Sequence, residues 1–422
     1  MGKTSDIDAI AVQIVEAAKI FAQRNPNPQY ARDTRAVWWY VVPEAETVFA
    51  SAVRNIVGLA RGLLSESDTT TAIMSRGRST GLTDLALAQP SLAEHEIERH
   101  LVELIAGLLE HATTTREIEL FIEPLHVDGP VPQFFGVDLQ EVTGQRLQEL
   151  YDMPLAGPFF KSRSNRIALA RTVVAGDETT AHLRAIQRVE RCMNLLRGCG
   201  GDFMFSEGVF RFGLIDHADP MLSTIIGEHT SPQLRYSPST IRFLCPFGKT
   251  QVAKVVGNLI SGLSAEQLSR LKDATADDSQ STSQTKLALR IVAGLEVLGS
   301  ASREELNSTK MLLLSSALES LVGGESDELS FRGVTAMLAE RVTFLVSDTN
   351  LQARNTADKT VHRLYGIGSD VRHGRRPDIS SEDASHLAGM VRRVALALLD
   401  RADEWADVAD IDQWVRRQRY GP

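Results

Sequence analysis

The sequence predicts a mainly α protein with an α+β N-terminal region and a C-terminal helical bundle. Three observations carry that prediction. Every segment after residue 286 spaces its apolar residues as a helix does. The stretch from about 113 to 271 contains short runs of β-branched residues punctuated by Gly and Pro. Between the two lies "KDATADDSQSTSQTK" (Lys272–Lys286), polar, small and nearly free of large apolar residues, which reads as a linker.

Taken in order, residues 7–24 repeat apolar positions at helical spacing behind Ser5 and Asp6, residues suited to a helix start. "RAVWWYVVPE" (Arg35–Glu44) is β-branched and aromatic and stops at a proline, so it reads as a strand. Helical pattern follows to about Leu64, and again over 91–112. "REIELFIEPLHVDG", "VPQFFGVDL" and "SNRIALARTVVAGD" read as strands, 180–197 as a helix, and "DFMFSEGVFRFGLID" as a hairpin around Glu207-Gly208. The bundle helices are expected at 286–299, 302–322, 331–347, 358–367 and 380–402, with a terminal piece near 405–417. Gly323-Gly324 ends the second, and Ser380 with Glu382 and Asp383 opens the fifth. The organisation is therefore 1–112 mostly helical, 113–271 a mixed α/β sensing or binding region, 272–285 linker, 286–403 bundle and 404–422 tail helix. Residues 1–271 divide into one or two domains.

At 422 residues, 43% hydrophobic and 23% charged, the composition is that of a globular protein. A net charge of -9 excludes non-specific coating of nucleic acid, so any such contact must come from a local basic patch. Cys192, Cys199 and Cys245 form neither an even framework nor a Cys-x-x-Cys pair and read as reduced thiols of a cytoplasmic protein. The N-terminus lacks the apolar core of a signal peptide, and no apolar run approaches the ~20 residues of a membrane span, so no membrane is expected as a partner. Phe247-Gly248-Lys249-Thr250 resembles the end of a phosphate-binding loop, but Phe243 stands where that loop needs its other glycine. His95 and His100 are five apart, so they do not share a helix face as zinc ligands would, and the other histidines lack ligand spacing. No cofactor is expected. Trp38-Trp39 and the phenylalanines of 204–212 read as packing residues.

The chemistry concentrates in "VHRLYGIGSDVRHGRRPD" (Val361–Asp378), which gathers Arg363, Tyr365, Asp370, Arg372, His373, Arg375 and Arg376. With "KMLLLSSALESLVGG", "FRGVTAMLAERVTFLVSD" and the 380–399 helix, this series resembles the HEPN superfamily, and more narrowly its Apea-like branch, over about residues 286–403. The resemblance implies a bundle that forms a homodimer, often with metal-independent endoribonuclease activity on RNA in a host-defence or toxin-like setting. A defence-system partner or trigger would then act at the N-terminal region. In the family's pattern, His373-Gly374 and Tyr365 match, while the position of the family arginine holds Gly368. The candidate catalytic residues are His373, since an imidazole can serve as general acid or base, and Arg372, whose planar fork suits a phosphate oxyanion. Arg363, Arg375 and Arg376 are the candidate RNA-phosphate ligands, with Glu319, Tyr365 and Asp370 in support. Gly366 and Gly368 each weaken a helix by about 1 kcal/mol, so irregular backbone is expected around them. Two alternatives stand beside the enzyme: a helix end whose arginines pair acids such as Asp378 and Glu382, and a non-enzymatic dimerisation, RNA-binding or interaction protein.

Overall fold

A computed structural model describes residues 2–24, 42–76, 79–87, 90, 92–123, 125–141, 168–200, 213–214, 223–226, 254–276, 285–324, 333–347, 351–375 and 378–420. The strand expected around Trp38-Trp39, the hairpin at Glu207-Gly208, Phe247–Thr250, Cys245 and Arg376 lie outside the described residues. Among the described residues the order is α1 (Gly2–Arg24), α2 (Pro43–Leu59), α3 (Glu66–Ser75), α4 (Leu82–Ala86), α5 (Glu94–Ala112), β1 (Thr115–Glu123), β2 (Leu125–His126), β3 (Val137–Glu141), β4 (Ala168–Ala175), α6 (Glu178–Gly200), β5 (Gly213–Leu214), β6 (Ser223–Ile226), β7 (Lys254–Val255), α7 (Val256–Ile260) and α8 (Ala265–Ala274). Six further helices follow: α9 (Lys286–Ala301), α10 (Asn307–Val322), α11 (Val334–Val346), α12 (Leu351–Arg372), α13 (Ser381–Leu399) and α14 (Val408–Tyr420). The protein is mainly α with an α+β N-terminal region, as its sequence predicts. No described helix is long and apolar enough to cross a membrane.

The chain divides into two compact units, the first made of Met1–Ile118, Val173–Ala185 and Ile225–Ser231, the second of the remainder. In the first, α1, α2 and α5 bury Ile10, Ile14, Phe21, Phe49, Val53, Ile56, Ile97, Leu101 and Ile105. Their spacing puts one apolar stripe per helix against the others, and each buried side chain contributes about 1.5–3 kcal/mol. Ser65 caps α3 by accepting from the Asp68 N–H at 2.9 Å, and Gly81 opens α4 at φ +78, a value that suits glycine.

Within the second unit β3 and β4 pair antiparallel from Val137↔Thr172 to Glu141↔Ala168, and β1 and β5 pair antiparallel at Ile122↔Leu214 and Glu123↔Gly213. β2 and β7 pair in parallel. β7 leads directly into the short α7, and α8 carries helix into the linker-like sequence as far as Ala274. Ser264 and Gln267 form a reciprocal cap at the start of α8.

The bundle core comes from Leu287, Ile291, Leu295 and Leu298 of α9, Met311, Leu314 and Leu318 of α10, Val361 and Leu364 of α12, and Leu387, Val391 and Leu398 of α13. The C-terminal part of α6 joins it through glycines. A Cβ on Gly198 would lie 2.2 Å from the Leu295 carbonyl oxygen, and one on Gly299 only 1.8 Å from that of Asn194. Only glycine lets those two backbones meet. Arg191 then clamps Glu296 bidentately at 2.8–3.2 Å. Cys192 and Cys199, seven apart on α6, are wholly buried free thiols, and that burial pushes each up to about 12, so neither is a reactive thiolate. Arg290 caps the end of α10 by donating to the Ser320 carbonyl at 2.8 Å and to that of Gly323.

Candidate functional site

α12 is built differently from expectation. The helix does not break at its glycines but continues to Arg372. Burial of Val361, Leu364 and Tyr365 on one face outweighs the propensity cost of Gly366 and Gly368. The two glycines differ. A Cβ on Gly366 would meet nothing within 4 Å. Gly368 is buried against α10, where a Cβ would lie 2.0 Å from Ser315 Oγ and 3.1 Å from Ser315 Cβ. Gly368, where the resemblance implies an arginine, is thus a point of close contact between α12 and α10.

His373-Gly374 closes the helix. Gly374 adopts φ +76, its N–H donates to the Val371 carbonyl at 3.0 Å, and the Arg375 N–H reaches back to the Asp370 carbonyl at 2.9 Å. This paired 5→2 and 6→1 closure needs a left-handed residue, which glycine supplies. Arg372 and His373 fall at the negative end of the helix dipole, where cations are favoured.

Glu319 of α10 receives two donors from α12, one helix face and seven residues apart. Tyr365 Oη donates to its Oε1 at 2.5 Å and Arg372 Nη2 at 3.0 Å. Tyr365 is 5% exposed; burial, then its bond to the Glu319 carboxylate, raises its pKa well above the usual value near 10, with Arg372 opposing. A raised tyrosine pKa favours the folded state up to the unfolded value and is lost as pH climbs beyond it. Wild-type protein is therefore expected to lose stability above about pH 10 more steeply than Tyr365→Phe, measured by urea denaturation across that range. Equal slopes would remove Tyr365 as the source.

Arg363 and Arg375 are engaged elsewhere. Arg363 Nη1 donates to Asp383 Oδ1 at 2.6 Å. Partial burial works against the Asp383 charge, but Arg363 and the Ser380 hydroxyl and N–H outweigh it and hold the carboxyl below the usual range. Arg375 Nη1 donates to Asp370 Oδ1 at 2.6 Å. The partners are Glu319, Asp383 and Asp370, whereas Asp378 and Glu382 were the acids expected. Side chains of Arg363, Arg372 and Arg375 are 53%, 45% and 74% exposed, so each pair is worth at most about 1 kcal/mol.

The structure therefore brings Glu319, Tyr365 and Arg372 together. It places the Arg363 and Arg375 pairs apart from that cluster. Asp370, one of the residues expected in support, holds Arg375. His373 is exposed, and its ring has no hydrogen-bond partner among the described residues. Sequence reasoning missed Ser315 and the role of Asp383 toward Arg363. The Ser-x-x-Asp capping spacing was the available signal for Asp383, while nothing local marks Ser315. Among the described residues no group of three His, Cys, Asp or Glu side chains could hold a metal ion. Protein-family models, curated proteins and solved structures were compared with the chain, and none matches.

Proposed function

We propose that residues 286–403 form a degenerate HEPN-type module, which acts as a dimerising interaction unit and not as a nuclease. The single observation behind this reading is Gly368. The family arginine position is occupied by a glycine packed on Ser315, with a hypothetical Cβ already 2.0 Å from its hydroxyl. Arg363, Arg372 and Arg375 each hold an internal carboxylate. The module works in the cytoplasm, and residues 1–271 supply its sensing or binding region.

A second reading, a metal-independent endoribonuclease, has its own support. His373 is exposed beside Arg372, and the weak Arg372–Glu319 pair is one that an RNA phosphate would displace. Purified protein incubated in EDTA with structured RNA, transfer RNA included, is expected to leave it intact, and His373→Ala to behave identically. Both should run as dimers in light scattering. Chelator-resistant cleavage that disappears in His373→Ala, leaving cyclic-phosphate and 5′-hydroxyl ends, would replace the first reading with the second.

A further inference from the structure

The first unit contains a cavity of about 560 Å³, a size typical of small-molecule sites. Its walls are apolar, with Ile7 from α1, Leu59 and Leu63 around the end of α2, and Leu109 from α5. Arg61 and Glu110 also line it, and neither side chain has a hydrogen bond or ion pair among the described residues.

The backbone at Arg61 is unusual. α2 ends in the same closure as α12: the Arg61 N–H donates to the Gly58 carbonyl at 3.0 Å and the Gly62 N–H to the Val57 carbonyl at 3.1 Å. The left-handed residue of that closure is Gly374 in α12, but in α2 it is Arg61, at φ +51. A β-carbon is disfavoured there, so the local fold would prefer glycine. The turn is also held firmly. Leu63 accepts from the Asp177 N–H at 3.0 Å, and the Ser65 N–H donates to Asp177 Oδ2 at 2.7 Å. A strained arginine retained in a fixed turn, at the edge of an apolar cavity, has a use other than stability.

We propose that this cavity binds a small neutral amphipathic molecule with an alkyl amide type of head. Its tail lies among Ile7, Leu59, Leu63 and Leu109. Its carbonyl accepts from the Arg61 guanidinium and its N–H donates to the Glu110 carboxylate. A carboxylate head would set attraction to Arg61 against repulsion from Glu110, and an ammonium head the reverse, whereas an amide offers each side chain the group it pairs with.

The test is calorimetric titration of the full chain with octanamide, octanoate and octylamine. Octanamide is expected to bind best, with both charged analogues about tenfold weaker. Ala106→Trp, which fills the cavity, should abolish binding of all three while the far-ultraviolet circular dichroism spectrum is kept. Arg61→Gly should weaken octanamide by about fivefold or more while raising the unfolding temperature. A purely structural arginine would not separate those two readouts. No binding at millimolar concentration, equal binding of the three heads, or an Arg61→Gly variant that keeps its affinity or loses stability would each overturn the proposal.

Discussion

Gly368→Arg is expected to destabilise the protein by about 3 kcal/mol or more and to leave RNA uncut. The first atom of any side chain there meets Ser315 Oγ at 2.0 Å, and Met311 O lies 3.4 Å away. Overpacking a filled helix contact costs about 1–3 kcal/mol by itself, and an arginine is far larger than the first carbon that already clashes. Gly368→Ala isolates the first contribution. Its gain in helix propensity, about 1 kcal/mol, partly offsets the clash, so a net loss of about 1 kcal/mol is expected. Ser315 Oγ is buried without a hydrogen-bond partner, so Ser315→Ala removes the obstruction without breaking a bond. The Ser315→Ala/Gly368→Ala double variant should then recover the loss, read as a coupling energy from urea denaturation. Additive effects, or a Gly368→Arg variant as stable as wild type, would show that the helices part easily here. The glycine would then no longer argue against a nuclease.

Arg341→Ala is expected to cost a comparable amount, about 3 kcal/mol, with α14 released first. Arg341 of α11 is 2% exposed and donates to both Asp412 oxygens, at 2.7 and 2.5 Å, and to the Val322 carbonyl at 2.5 Å. Removing it strands a half-buried carboxylate and the last carbonyl of α10 together. Nearby, Arg401 lies 5.1 and 4.8 Å from the ring centroids of Trp405 and Trp414, so the loosened helix carries a fluorescent reporter. Chemical denaturation followed by tryptophan emission, with limited proteolysis of the tail, measures both effects. Arg341→Lys should restore only part of the stability, because an ammonium cannot replace a planar fork that satisfies three acceptors. A change below about 1 kcal/mol in Arg341→Ala would mean that water replaces the arginine at little cost. Arg341 belongs to "LAERVTFLV", one of the runs on which the family resemblance rests. In this chain it serves as an anchor for the C-terminal helix.

Much of this architecture is legible locally. The apolar stripes of α9, α10 and α13 recur at helical spacing, and the Ser380–Asp383 cap marks where α13 starts. The strands β1, β3 and β4 announce themselves by β-branched runs between turn residues. Where local rules misled, a non-local contact had won. Gly366 and Gly368 signalled a break, yet burial of Tyr365 and its neighbours against α10 keeps α12 intact.

For the candidate site the division is sharper. The sequence by itself determined which residue types gather near Arg372-His373-Gly374, and that a glycine follows the histidine, because a helix end and its closure involve only a few consecutive residues. Only the tertiary structure decided what those residues do. Glu319 and Arg372 are 53 positions apart, and Ser315 and Gly368 are equally separated, so no periodicity relates them. A charged side chain's partner is set by which helix faces it, and a glycine's purpose by what lies against its missing β-carbon. Both depend on how the helices pack, and packing brings together residues that the sequence keeps apart.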